Sequence, residues 1–358
     1  MRESQIRFAI VVAIVGWSAC ARAQESQLHV YHIGNSLTRS VTMDRLHLLF
    51  AEQGIDFQFS TQLAAGCPLN RHWAAREKGM KTKQWETNKP SGDDWEPGGP
   101  DWDPNPKRFG PYWEALAKHK WNAVVFQPYR SHMKDDLPTL RRFIGFALEH
   151  RATRRFYLYQ TWPNRPPQNP KERDRSKRIY GNIDYKALWD RTYLFDETAE
   201  RPTGDEFQSR DYFAKLIDRL NEEFAEELAI PICMIPVGEV WYACDKRIKA
   251  GEIPGLSELH VRNPRLVPGW KPKVGLSAGV NIFYADGIHP NPIPHLDGNV
   301  ANYVNGLTIC SVISGKSPLG LPGSIYNLDD QQDAALIKSL QETVWQVVTT
   351  HPHTGIRK

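Results

Sequence analysis

The sequence predicts an α/β protein with a parallel sheet covered by helices on both faces. Two observations predict it. Short apolar runs of strand length recur along the chain, and most are followed by a segment with apolar residues at helical spacing. That alternation returns each strand to the same sheet through a crossover helix. A length of 358 residues, with 24% charged and 11% aromatic residues, suits one large core. With only 25 Gly and 26 Pro, the composition is neither disordered nor collagen-like.

Leu28–Ile33 reads as a buried strand, broken by Gly34-Asn35-Ser36. Met43–Gln53 follows as a helix, with Leu46, Leu49 and Phe50 on one stripe. Phe57–Thr61 is a second strand leading to Gly66, and Ala123–Phe126 is a third. Leu137–His150 is helical, Arg155–Gln160 is a fourth strand, and Tyr212–Leu228 is an amphipathic helix carrying Phe213, Leu216, Leu220 and Phe224. Ile232–Pro236 is a fifth strand, followed by helices over Val237–Ala250, Asn299–Val312 and Asp330–Val348.

Two stretches, near 71–121 and 163–210, break the alternation. The first holds Trp73, Trp85, Trp95, Trp102, Trp113 and Trp121 among Pro, Gly and Asp; the second is charged and Pro-rich. Both follow the C-terminal ends of strands, where an open α/β sheet carries its functional loops. The Trp residues either form an aromatic mini-core stapling a long loop or include one or two that stack on a sugar ring.

Residues 1–23 read as a secretory signal peptide: Arg2 and Arg7 precede an apolar run from Phe8 to Cys20, and Ala21-Arg22-Ala23 gives an A-x-A exit. The run is shorter than the ~20 residues that span a bilayer. The expectation is cleavage near Ala23 and export to the periplasm or the exterior, with residues 24–358 as one soluble domain. The formal net charge of +4 offers no footprint for nucleic acid. Cys67, Cys233, Cys244 and Cys310 lie beyond the leader and permit either two disulfides or buried free thiols. No zinc, calcium or nucleotide motif is present, so neither metal nor cofactor is expected.

The chemistry-bearing residues are a serine near the start and an Asp-x-x-His near the end. Ser36 sits on a turn between a strand and a helix, which presents its hydroxyl at the sheet edge. That hydroxyl needs a base to become nucleophilic. In Asp286-Gly287-Ile288-His289 the carboxylate can hold one ring nitrogen while the other faces the serine.

Gly34-Asn35-Ser36-Leu37 resembles the first block of the SGNH (GDSL-type) hydrolases, with Asn where Asp is usual. Asp286-Gly287-Ile288-His289-Pro290 resembles the last block, and Gly66 falls where the second-block glycine stands. The resemblance runs through short blocks separated by unmatched insertions. It implies a flavodoxin-like three-layer sandwich with a five-stranded parallel sheet in the order 2-1-3-4-5. It also implies a triad of Ser36, His289 and Asp286, and an oxyanion hole of the Ser36 and Gly66 N–H groups. The third block departs: Gln127 stands after the third strand where the family shows Gly-x-Asn-Asp, and its amide is expected to replace the usual Asn amide as the third donor. Asn35 is expected to lock the serine turn and, with Trp162, to border the substrate.

The function expected is that of an exported serine hydrolase cleaving an ester, with a small O-acyl group on carbohydrate as substrate by analogy. The alternatives are a non-catalytic carbohydrate-binding protein on the same scaffold and a lipid esterase. The expected partner is a small-molecule or glycan ester, with no membrane insertion of the mature chain.

Overall fold

The computed structural model describes residues 27–78, 85–87, 109–129, 132–173, 183–194, 208–256, 283–284, 287–290 and 300–356. The leader expected over 1–23 lies outside them, as does Asp286. In chain order the elements are β1 (Gln27–Gly34), α1 (Ser36–Arg39), α2 (Met43–Glu52), β2 (Asp56–Ala64), α3 (Leu69–Lys78), β3 (Trp85–Thr87), α4 (Tyr112–Lys118), β4 (Ala123–Phe126), α5 (Met133–Glu149), β5 (Phe156–Tyr159), α6 (Tyr185–Trp189), α7 (Arg210–Glu223), β6 (Cys233–Ile235), α8 (Val237–Lys249), α9 (Val300–Ser314) and α10 (Ala334–Thr350).

The sheet order is β3-β2-β1-β4-β5-β6. Every pair from β2 to β6 is parallel, which gives the expected five-stranded order 2-1-3-4-5. β3 adds an antiparallel edge strand from within the Trp-rich insertion, pairing Ala64 with Trp85. At the opposite edge the Met234 N–H donates to the His353 carbonyl at 2.7 Å, so the C-terminal segment covers β6. Both devices reduce exposed strand edge.

The parallel strands are apolar runs because they are buried on both faces; β4, β5 and β6 are buried at every position. Helices α2, α8, α9 and α10 pack together on one side, and α3, α4, α5 and α7 on the other. α9 is buried along nearly its whole length, with apolar residues all round, as a helix flanked by α2, α8 and α10 requires. α7 starts at Ser209, whose hydroxyl caps the Tyr212 N–H at 3.2 Å. It stops at Glu223, short of the expected Leu228, with Phe224 as its C-cap.

The Trp-rich stretch works in part as an aromatic mini-core. Trp73 stacks on Tyr112 at 5.5 Å and meets Phe143 edge-on, while Trp121 packs on Tyr31 and Phe109. Trp95 and Trp102 lie outside the described residues. Cys67, Cys233, Cys244 and Cys310 are buried free thiols, so the disulfide alternative does not hold. No described helix is long and apolar enough to cross a membrane.

Candidate active site

Strand register brings the site together. β1 ends at Gly34, and Ile33 pairs with Phe126 of β4. Gln127 therefore emerges beside the turn that follows β1. Its N–H donates to the Ile33 carbonyl at 2.9 Å, continuing the ladder. Its side-chain Oε1 accepts from the Asn35 N–H at 3.0 Å and from Thr38 Oγ1 at 3.1 Å. Its Nε2 donates to the Pro128 carbonyl at 3.1 Å. The Gln127 amide, expected as an oxyanion donor, is buried, with its oxygen holding the serine turn and one amide proton on the Pro128 carbonyl. The reason is geometric, because the strand pairing aims the side chain at the backbone of Asn35.

Asn35 is the N-cap of α1. Its Oδ1 accepts from the Leu37 N–H at 2.9 Å, and its Nδ2 donates to the Cys67 carbonyl at 3.4 Å. It is fully buried, with both ends of its side chain taken up by backbone groups, and presents no surface to the substrate it was expected to border. Ser36 is the first residue of α1 and is part-exposed. Gly66 lies in the exposed turn after β2 with φ +61, a left-handed conformation that favours glycine, and a Cβ there would meet only open space. Neither the Ser36 nor the Gly66 N–H is taken by an acceptor among the described residues. Both are available as donors, one from a helix N-terminus and one from a turn.

His289 comes from the other end of the chain. Its Nε2 lies 2.9 Å from Ser36 Oγ, hydrogen-bond distance across 253 positions of sequence. The ring is part-exposed, so the pair faces a reagent arriving from outside. Asp286, expected to hold the other ring nitrogen, lies outside the described residues.

The histidine segment is docked on the exit of β5. Trp162 Nε1 donates to the Ile288 carbonyl at 2.7 Å, the Arg165 N–H donates to the Gly287 carbonyl at 2.7 Å, and Tyr284 Oη donates to the Pro163 carbonyl at 2.8 Å. Trp162 is fully buried and stacks on Trp241 at 4.0 Å and 11°. Its ring faces Trp241 in the core and not the space beside Ser36 that it was expected to border. Sequence reasoning missed Thr38 and Tyr284. Each is read only after folding, since neither stands in a motif.

Two buried histidines support the sheet beneath. His32 in β1 is held neutral by burial, its pKa pushed down to about 3. His72 in α3 is likewise lowered to about 3 by burial, opposed by a hydrogen bond with the Gly34 backbone. Gln62 links this region to α4: its Nε2 lies 3.2 Å from His72 Nδ1, and its Oε1 accepts from the Tyr112 N–H at 2.8 Å. Among the described residues no cluster of three or more His, Cys, Asp or Glu could hold a metal ion.

With strand order and site in view, the chain can be set beside known proteins. The five parallel strands stand in the order 2-1-3-4-5 that the resemblance of the motif blocks implied. A solved structure of a DUF4886 family protein from Bacteroides uniformis is 15% identical over 90% of this chain and 95% of that one, with a TM-score of 0.52. A protein from Slackia heliotrinireducens described as "a putative SGNH hydrolase" is 15% identical over 80% of this chain and 98% of that one, at a TM-score of 0.37. A "putative GDSL-like lipase" from Parabacteroides merdae is 13% identical over 66% of this chain and 88% of that one, at a TM-score of 0.32. No family model and no curated protein matches the chain.

Proposed function

We propose that this protein is an exported serine hydrolase that cleaves an ester, with a small O-acyl group on carbohydrate as the substrate class. The observation that carries the reading is the 2.9 Å approach of His289 Nε2 to Ser36 Oγ at the C-terminal edge of the sheet. His289 takes the Ser36 proton as Oγ bonds to the ester carbonyl carbon. The Ser36 and Gly66 N–H groups receive the oxyanion. Collapse breaks the bond to the alcohol, which leaves with the proton from His289. Water, deprotonated by the same imidazole, then releases the acid and restores Ser36. Asp286 fixes the His289 tautomer and stabilises the imidazolium.

The binding-only alternative drew on aromatic rings free to stack on sugar. Among the described residues of the first insertion, Trp121 is buried and Trp73 and Trp113 are half-buried against the core, so these three rings lend that alternative no support. The test is p-nitrophenyl acetate turnover and fluorophosphonate labelling of the full chain, followed by a panel of acetylated glycans. Wild type should turn over and label. Ser36→Ala should abolish labelling, and Ser36→Ala and His289→Ala should each lower kcat by on the order of 10⁴ or more. Glycan binding that survives Ser36→Ala, with no hydrolysis by wild type, would refute the proposal.

A further inference from the structure

His289 reaches Ser36 from a segment whose only described residues are Phe283, Tyr284 and Gly287–Pro290. What fixes that segment decides whether the imidazole meets the hydroxyl. Its contacts converge on Pro163 and the residues either side of it. Tyr284 Oη holds the Pro163 carbonyl, the Arg165 N–H holds the Gly287 carbonyl, and Trp162 Nε1 holds the carbonyl of Ile288, the residue bonded to His289. The last contact is the nearest in sequence to the imidazole, and because a side chain makes it, it can be altered without touching the backbone.

Trp162 is itself held. It stacks on Trp241 of α8, which packs on Phe283 at 4.7 Å and edge-on against Tyr284 at 5.1 Å. Trp241 Nε1 donates to Asn305 Oδ1 of α9 at 2.7 Å. A continuous set of buried aromatic contacts thus runs from α9 through α8 to the Ile288 carbonyl. We infer that Trp162 is a positioning residue for His289: its indole N–H sets the peptide that carries the imidazole and so maintains the distance to Ser36 Oγ. The role in turnover rests on the hydrolase reading above; the role in placing the ring does not.

The physical argument is one of tolerance. A reacting pair displaced by about 1 Å loses on the order of 10²-fold in rate. The indole hydrogen bond falls on a buried carbonyl next to His289, and without it the peptide that carries the ring is held less firmly. The ring attached to the next Cα moves with it.

Two variants isolate the N–H from the ring. Trp162→Phe keeps an aromatic surface against Trp241. Incorporating 3-benzothienylalanine at position 162 keeps the size and stack of the indole and replaces its N–H by sulfur, which guards against a packing defect. Both should lower kcat and the fluorophosphonate labelling rate by about 10- to 100-fold, with KM within about twofold. Tyr303→Phe removes buried hydrogen bonds that do not involve the His289 segment, to the Leu321 carbonyl at 2.8 Å and from Gln341 Nε2 at 2.7 Å. It should lower the melting temperature and leave kcat unchanged. The ¹⁵N resonances of His289, recorded without substrate, should report one hydrogen-bonded tautomer in wild type and an averaged ring in both Trp162 variants.

Unchanged ¹⁵N resonances with unchanged kcat in the benzothienyl protein would overturn the inference. So would a loss of stability like that of Tyr303→Phe with full activity. If wild type neither labels nor turns over, the hydrolase reading fails by itself, and the ¹⁵N comparison alone decides whether Trp162 places the ring.

Discussion

Replacing Gln127 by Met separates two roles that a glutamine at this position can play. Met has nearly the same length and no hydrogen-bonding amide. The substitution strips the acceptor from two buried donors, the Asn35 N–H at 3.0 Å and the Thr38 hydroxyl at 3.1 Å. A buried backbone N–H left without a partner costs about 1–3 kcal/mol, and a hydroxyl that can rotate costs less. The sum is about 2–4 kcal/mol. With about 2.1 cal/mol/K of unfolding entropy per residue over 358 residues, 1 kcal/mol moves the melting temperature by about 1.3 °C. The expected shift is therefore about 3–5 °C downward. Activity should fall by about 10-fold through loosening of the Ser36 turn, less than the ~10²–10³ typical of a lost oxyanion donor. Thr38→Val in the Gln127→Met background removes one orphaned donor, so the pair should be less destabilising than the sum of the singles. The assays are differential scanning calorimetry and fluorophosphonate labelling of the four proteins in the cycle. An unchanged melting temperature with a 10²–10³-fold loss of kcat would refute the turn-locking role and restore Gln127 as an oxyanion donor.

Acid should destabilise the fold through its buried histidines. His32, His72 and His351 are lowered by burial to about 3, about 3 and about 4, while the unfolded residues titrate near 6.5. The unfolded chain thus binds more protons as pH falls below 6.5, and stability is lost progressively from there down to the folded values. By pH 5.5 the three together cost about 4 kcal/mol, read as a lower urea midpoint than at pH 7.5; equal midpoints would contradict it. Gly34→Ala should slow labelling and destabilise by about 1–3 kcal/mol, because its Cβ would meet Thr38 Oγ1 and lie 3.1 Å from Gln127 Cβ. A labelling rate equal to wild type would show that the turn can shift to make room. Cys67 and Cys244 have thiols pushed up to about 12 by burial, and Cys310 is raised further by the same cause. Iodoacetamide at pH 8 should leave them unmodified until the protein unfolds, and rapid native-state alkylation detected by mass spectrometry would overturn that picture.

The strands were legible because burial on both faces leaves a plain mark, as in Val124-Val125-Phe126 and Tyr157-Leu158-Tyr159. α2 and α7 were legible from their apolar stripes. α3 escaped because its buried stripe passes through His72, a polar residue satisfied by Gln62, in an otherwise charged stretch. β3 escaped because three residues at a sheet edge carry no periodicity. α7 was read too long because Phe224 and Leu228 continue its spacing after the helix has ended. In the site, Ser36 and His289 were legible as motif residues, and they lie 2.9 Å apart. The roles of Gln127 and Trp162 were not. A glutamine just after β4 and a tryptophan three residues after β5 look the same in sequence whether they face outward or the backbone. Only the register of Ile33 with Phe126, and the stacking of Trp162 on Trp241, decide the direction.

The asparagine at position 35 is better understood from its two partners than as a weakened aspartate. A carboxylate could cap the Leu37 N–H equally well, but it has no proton to offer the Cys67 carbonyl. The carboxamide does both, at 2.9 Å and 3.4 Å. One buried side chain therefore ties the turn that carries Ser36 to the loop that carries Gly66, the residue before Cys67. A neutral yoke also avoids placing a charge in a fully buried position, where desolvation would penalise it. The Gln127 amide holds the same turn. Its acceptor oxygen closes the arrangement from the other side, by holding the Asn35 backbone whose side chain sets the spacing.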